Sequence, residues 1–331
     1  MVETNRIIEK RITSKVLYRD MQIALGSMCD QLQEMALSAD SRMSVDLSEV
    51  LCSGGKRLRP ILAFMCYRMG GSKETEILPA MCMLELMHTA SLIHDDVVDS
   101  ADMRRGKPTI NFKRGGYAAV QSGDFLLAKA MELLHVYKGT GINELLADVS
   151  YNMTLGELVQ QAMRYRPDLQ SVGAYYDMMN KKTALLFAAS CWCGATAGGM
   201  NDVDAQSLFD YGEKLGMAFQ LRDDLIDYSL HSGKFPGQDI RNGIFTLPLL
   251  TVLGCGEAPP QVLELLVKRD KTTDEVSSLI EYVKGSGALE QTEAVVAAMS
   301  SEAVSELDKF PDCPEKKGLC DLASSLAKRQ F

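Results

Sequence analysis

The chain is poor in aromatic residues, which make up 7% of it, and it contains a single tryptophan, Trp192. Strand-rich cores draw on aromatic and β-branched residues, whereas Leu, Met and Ala, plentiful here, favour helices. No run shows the strict alternation of a half-buried strand. No stretch approaches the roughly 18 uncharged apolar residues needed to span a bilayer. The opening segment, Met1 to Lys15, is polar and charged and lacks the apolar stretch of a secretion signal. Among nine cysteines only Cys191 and Cys193 lie close together, and no second Cys or His pair completes a zinc pattern. Buried thiols in a reducing cytoplasm are the expectation. Positive charge is also short: a net charge of −9 argues against general affinity for nucleic acid or anionic membrane.

Hydrophobic residues reach 46% and charged residues 24% of the 331, the composition of a globular protein. Helical periodicity recurs throughout, with Gly and Pro falling mostly between the periodic segments. The spacing predicts helices near 16–38, 60–69, 77–99, 117–138, 142–164, 171–198, 203–229, 246–252, 260–268, 272–284, 287–308 and 315–329. Composition changes nowhere abruptly and no linker interrupts it. An all-α protein with one domain over residues 1–331 is the simplest account.

One long-range echo stands out. Asp95-Asp96-Val97-Val98-Asp99 and Asp223-Asp224-Leu225-Ile226-Asp227 share the pattern DDxxD, and each closes a long apolar helix. Residues four apart share a helix face, so each motif sets like charges side by side at a cost of about 0.2–0.5 kcal/mol a pair. A compensating cation would remove that cost. Carboxylate oxygens in such small number suit Mg²⁺, which keeps positions for water and phosphate. Facing each other, two such helix ends would hold several Mg²⁺ ions around one diphosphate.

Basic groups gather nearby in sequence. The stretch after the first motif carries Arg104 and Arg105, whose forks match phosphate oxygens. Upstream, Gly54-Gly55-Lys56-Arg57-Leu58-Arg59-Pro60 combines glycines that permit close backbone approach with clustered cations before a helix start. Lys182-Thr183 lies within a largely apolar helix, and His88 stands two turns before Asp95 on the same face. In an acidic chain these clusters point to anionic substrates.

These segments resemble the trans-polyprenyl diphosphate synthases, in order and in spacing, from Gly54 to about Leu250. The matching stretches are GGKRLRP (54–60), the segment from His88 through HDDVVDSADMRRGKPT (94–109), GELVQQ (156–161), KTA (182–184) and AFQLRDDLID (218–227), then Gly233-Lys234, Gly237, Asp239 and TLP (246–248). The resemblance implies a single-domain antiparallel helical bundle around a deep central cavity, with both acidic motifs at its mouth. It implies that Asp95, Asp99 and Asp223 ligate Mg²⁺ most directly, supported by Asp96, Asp224 and Asp227, with about three ions per active site. Arg104 would grip an allylic diphosphate, while Gly55, Lys56, Arg59, His88 and Arg105 would hold isopentenyl diphosphate. Lys182, Thr183, Gln220 and Lys234 would line the reacting zone. The implied reaction ionises the allylic substrate, adds isopentenyl diphosphate and loses a proton. The likeness also implies a homodimer, with an auxiliary subunit as a further option, and a cytoplasmic location is the default expectation for a stretch with neither secretion signal nor membrane span. One departure is Ile244, where many relatives place a lysine after the glycine.

Product length should depend on the helix beneath the first motif. Ala90 and Ser91 lie one turn below Asp95 and are small, and Met87 follows two turns below. In the family, small residues there accompany longer chains, so a product beyond geranylgeranyl is expected. A farnesyl or geranylgeranyl synthase, with a floor built by the helix holding Phe125 or Phe187, is the alternative. Glu85-x-x-His88 and Glu132-x-x-His135 also fit the ExxH pattern of di-iron bundles, though that reading leaves both DDxxD motifs unexplained. A terpene cyclase would not need the Lys56/Arg59 loop. A non-catalytic subunit should have lost acidic or arginine residues.

Overall fold

A computed structural model describes residues 14–52, 54–71, 75–229, 236–254 and 258–327. In chain order the first helices are Lys15–Leu37 (α1), Ser41–Cys52 (α2), Leu58–Gly70 (α3) and Leu78–Val98 (α4). A hairpin of Met103–Arg104 (β1) and Lys107–Pro108 (β2) comes next. Helices Ile110–Arg114 (α5), Gly116–Leu133 (α6), Ile142–Met163 (α7) and Val172–Met179 (α8) follow. A π turn, Asn180–Ala184, joins α8 to Leu185–Ala197 (α9), ahead of Asp202–Asp227 (α10) and Gln238–Arg241 (α11). The remainder is Leu247–Gly254 (α12), Pro260–Val267 (α13), Thr273–Lys284 (α14), Ala288–Ser305 (α15) and Pro314–Ala327 (α16). The fold is all-α, and the hairpin is the one sheet among the described residues.

Two compact units divide the chain. The first takes the described residues of Met1–Ala147, Ala189–Phe209 and Phe310–Leu319, and the second those of Asp148–Ala188, Asp210–Lys309 and Cys320–Phe331.

In the first unit α4 is the central element. Pro79 sits in its first turn, where a missing N–H costs nothing. Every residue from Pro79 to Met87 is buried, as expected of a helix that is apolar all round. Burial relaxes only from His88 onward, towards the acidic end. Its most extensive helix partner is α6. Buried Tyr137 ties the turn after α6 to the start of α4, accepting from the Ala80 amide at 3.0 Å and donating to the Glu76 carbonyl at 2.5 Å. Cys191 and Cys193 are buried thiols.

In the second unit α12 packs on α15, and α14 opens with a capping box between Thr272 and Glu275.

Three elements differ from the sequence expectation. The sequence expectation includes no helix over Ser41–Cys52, where α2 forms: its Ser, Asp and Arg residues mask a short stripe in which Leu47 and Leu51 are buried. The helix expected over 171–198 is interrupted by the π turn, an added residue with no compositional signature. The hairpin strands have two residues each, too short to show alternation.

Candidate active site

The first acidic motif occupies the C-terminal end of α4, where Asp99 is the cap residue. Carboxylates there oppose the helix dipole, whose negative pole lies at that end. The three aspartates are not equivalent. Asp95 is half-buried and Asp99 exposed, but Asp96 is buried, and Arg104 Nε donates to it at 2.7 Å. Burial raises the Asp96 pKa, and the Arg104 charge pulls it back. The Asp96 backbone carbonyl also accepts from the Ala101 amide at 2.9 Å and the Asn111 side chain at 3.3 Å, which fixes the chain reversal after the helix.

That reversal is the hairpin, whose two central residues, Arg105 (φ 51°) and Gly106 (φ 75°), both have positive φ. This is the turn geometry that matches strand twist. It places exposed Arg105 at the tip, where the guanidinium donates to the Gly54 carbonyl. Gly55 makes this contact possible: its φ is +140°, and a Cβ there would lie 2.7 Å from Arg105 Nη1. Arg57 adopts a left-handed conformation at the N-cap of α3, and its guanidinium pairs with buried Glu85 and donates to the Leu51 carbonyl. Lys56 and Arg59 on either side are half-buried. Burial first, then Arg59, Arg105, Arg104 and Arg57, push the His88 imidazole well below its usual pKa, so the ring is neutral. Gly55, Lys56, Arg59, His88, Arg104 and Arg105 all belong to the first unit. The charges of Arg57, Arg59, Arg104 and Arg105 gather around an uncharged histidine.

The second motif closes α10 in the same pattern. Asp223 is exposed, Asp224 buried and Asp227 half-buried. Asp224 accepts from the buried Tyr175 hydroxyl and from Gln220 Nε2 at 2.9 Å. Burial lifts its pKa to about 7, the Tyr175 and Gln220 bonds oppose that rise, and Asp223 and Asp227 add to it. Burial and the Asp224 charge hold the proton on Tyr175. Gln220 Oε1 in turn accepts from the Thr183 hydroxyl at 3.0 Å. Asp227 accepts from the backbone amides of Gln238 at 3.1 Å and Asp239 at 3.0 Å, so it also orders the segment that follows.

Lys182 and Thr183 lie in the π turn, a local widening found often at functional sites. Helix α7 comes close to it at Gly156, where a Cβ would be 3.0 Å from the Lys182 amide nitrogen. The neighbouring Glu157 pairs with the Lys182 ammonium and accepts from Gln161 at 2.9 Å. Sequence reasoning does not single out Tyr175, Glu157 or the Arg57–Glu85 pair as site residues. The signal available was their place within or beside the matched stretches, but their partners are distant in sequence.

Lys234 lies outside the described residues. Ile244 is half-buried and, with Met163, Met178 and Phe245, lines a small apolar pocket that offers no cation. Met87 and Ala90 are buried in α4, whereas Ser91 is half-buried with its hydroxyl on the His88 carbonyl at 2.9 Å. The ExxH pairs do not converge. Glu85 is committed to Arg57, and exposed Glu132 pairs with Lys129 at 2.9 Å.

Each motif supplies hard carboxylate oxygens at a helix end. Among the described residues no three His, Cys, Asp or Glu side chains close into a cage. That donor set fits Mg²⁺, which takes one or two carboxylates and completes its shell with water and phosphate.

Known proteins share this chain's sequence pattern and fold. The profile of the polyprenyl synthetase family matches residues 42–283. The heptaprenyl diphosphate synthase component 2 of Geobacillus stearothermophilus is 31% identical, over 96% of this chain and 99% of its own length. The octaprenyl diphosphate synthase of Escherichia coli is 32% identical, over 85% of this chain and 88% of its own. A crystal structure of a Caulobacter crescentus polyprenyl synthase, complexed with calcium and isoprenyl diphosphate, superposes with a TM-score of 0.87 at 34% identity, covering 95% of this chain and 97% of that one.

Proposed function

This chain belongs to the polyprenyl synthetase family and is a trans-prenyltransferase; from that premise we propose that it lengthens an allylic diphosphate with isopentenyl diphosphate to a product beyond geranylgeranyl. Relatives that make heptaprenyl and octaprenyl diphosphate support the longer product, of the length used for quinone side chains. Asp95, Asp99 and Asp223 are the proposed Mg²⁺ ligands, with about three ions per site. Asp96, Asp224 and Asp227 hold their neighbours in place. Bound Mg²⁺ neutralises charge on the departing diphosphate.

Arg104 grips that diphosphate, and Lys56, Arg59, His88 and Arg105 orient isopentenyl diphosphate on the Gly54-Gly55 backbone. Lys182, Thr183 and Gln220 surround the reacting carbons, with Lys234 the further member that the family resemblance implies, and fixed dipoles there steady positive charge without attacking it. Catalysis is then orientation with electrostatic stabilisation, and no protein nucleophile takes part. The whole chain, 1–331, would work as one cytoplasmic domain and pair as a homodimer. Among the described residues no helix is long and apolar enough to cross a membrane.

The observation that carries this reading is the repeated division of labour within each DDxxD motif. The second aspartate is buried and hydrogen-bonded, while exposed Asp99 and Asp223 remain at the two helix ends. Incubation with Mg²⁺, labelled isopentenyl diphosphate and farnesyl diphosphate, followed by sizing of the dephosphorylated products, tests it. A ladder ending beyond geranylgeranyl is expected. A stop at geranylgeranyl or below would refute the product length, and no incorporation would refute the activity of the chain alone.

The names of two relatives support a second reading. Both the Geobacillus and the Bacillus subtilis proteins are component 2 of a heptaprenyl diphosphate synthase. On this reading the chain is a catalytic subunit needing an auxiliary one, and activity would appear only after a partner is added.

A further inference from the structure

Glu85 lies fully inside the first unit, one helical turn before His88, yet the proposed chemistry gives it no task. Its carboxylate pairs with the Arg57 guanidinium; their side chains are 5% and 9% exposed. We propose that the Arg57–Glu85 pair is a positioning device that pre-sets the Gly54–Pro60 loop for the diphosphate of isopentenyl diphosphate, an inference that rests on the functional reading above.

Four observations lead to it. The first is backbone strain. Arg57 has φ 45° and ψ 36°, a conformation unfavourable for any residue with a Cβ, and it caps α3 without a side-chain hydrogen bond. Strained conformations persist where surrounding contacts over-determine them. Here the contacts are the fork itself: one arm to Glu85 on α4, the other to the Leu51 carbonyl near the end of α2.

The second is location. Lys56 precedes Arg57 and Arg59 follows two residues later, so the left-handed turn at Arg57 sets the path of the backbone that carries both. A relaxed Arg57 would redirect them. The third is charge. Arg57, Arg59, Arg104 and Arg105 all act on the His88 ring. Glu85 offsets part of that charge, which lets the loop form before an anion arrives. Because its carboxylate is committed to Arg57, the surrounding cations keep a surplus for an anion.

The fourth concerns Arg57 itself. With both arms engaged by protein, it is a support for the anion site rather than a contact to the substrate. Stability alone is a poor reason for such a pair, since well-packed apolar residues serve a core equally well.

The experiment compares Glu85→Gln, Arg57→Lys and the double variant Glu85→Leu/Arg57→Met with the unaltered chain, by steady-state kinetics and thermal melting. Each single variant is expected to raise KM for isopentenyl diphosphate about tenfold while KM for farnesyl diphosphate stays within about twofold. The double variant is expected to melt near the unaltered protein, because no buried charge is left alone, yet to keep the raised KM. Arg57→Lys preserves charge and carries the test where Glu85→Gln fails to fold. The inference is overturned if the double variant restores KM together with stability, if both KM values rise in parallel, or if neither moves. Failure of the unaltered chain to incorporate isopentenyl diphosphate overturns the functional reading instead, and this inference with it.

Discussion

The Tyr175 hydroxyl donates to the carboxylate of Asp224 from a fully buried position, and the pair begins a line of side chains that runs through Gln220 to Thr183. A buried carboxylate loses hydration that only specific donors replace. Asp96 solves the same problem with a charged partner, Arg104. One unit thus uses a cation and the other two neutral donors to orient the middle aspartate of a DDxxD motif.

Tyr175→Phe keeps the ring and removes the donor. Losing one hydrogen bond to a buried carboxylate costs about 1–3 kcal/mol. Some of that cost should appear as disorder at Asp223 and Gln220. The expected outcome is a rate lowered about tenfold and a raised Mg²⁺ requirement, with KM for isopentenyl diphosphate unchanged. A Mg²⁺ titration of initial rates checks both.

Within the first motif, Asp99→Asn and Asp96→Asn should separate function from support. Asp99 is exposed at the end of α4, opposing the helix dipole. Removing its charge should leave melting unchanged or slightly raised and reduce turnover by roughly a hundredfold or more. Asp96→Asn takes the charge from a buried group whose partner Arg104 is partly exposed. Because burial outweighs Arg104 and leaves the Asp96 pKa raised, the neutral amide should cost no stability, and its loss of turnover should come with a looser Arg104 and a raised KM for the allylic diphosphate. Parallel melting and rate measurements, with that KM, distinguish the two.

His88 provides a test by pH. Its pKa lies well below 6.5, through burial and then the surrounding arginines, so the ring stays neutral across the neutral range. KM for isopentenyl diphosphate should therefore show no inflection near 6.5. Stability has a definite sign. Because the folded pKa is depressed, the neutral ring's contribution is complete above 6.5 and is lost as pH falls from there towards the folded value. His88→Gln should lessen acid destabilisation over that window, measured by melting temperature from neutral pH downwards.

How far the site could be read from sequence follows from which interactions are local. The DDxxD spacing fixes a shared helix face by geometry alone, and the Pro79 start and unbroken apolar run mark α4. The basic loop was visible as composition. What stayed hidden was pairing. In sequence Glu85 fits an ExxH motif, and only the fold sets Arg57, 28 residues away, across from it. Tyr175 carries no charge and gave no signal of its bond to Asp224. The π turn at Lys182 leaves the order of polar and apolar residues unchanged, and α2 was masked by its serines and Asp46. Long-range partnership and backbone irregularity are the properties that periodicity does not encode.

On the proposed function, product length should turn on the difference between Ala90 and Ser91. Both are small residues below the first motif, but Ala90 is wholly buried, whereas Ser91 is half-buried with its hydroxyl folded back on the His88 carbonyl. On the proposed function the growing tail should therefore follow the Ser91 side of α4. Ser91→Phe should place a ring in that path and shorten the product by one or more isoprene units, with the initial rate of condensation kept. Ala90→Phe should instead overpack α4, costing about 1–3 kcal/mol, and lower the yield of folded protein before it alters product length. Chromatographic sizing of products beside a melting curve for each variant tests the assignment. It is lost if Ala90→Phe shortens the product at unchanged stability while Ser91→Phe does not.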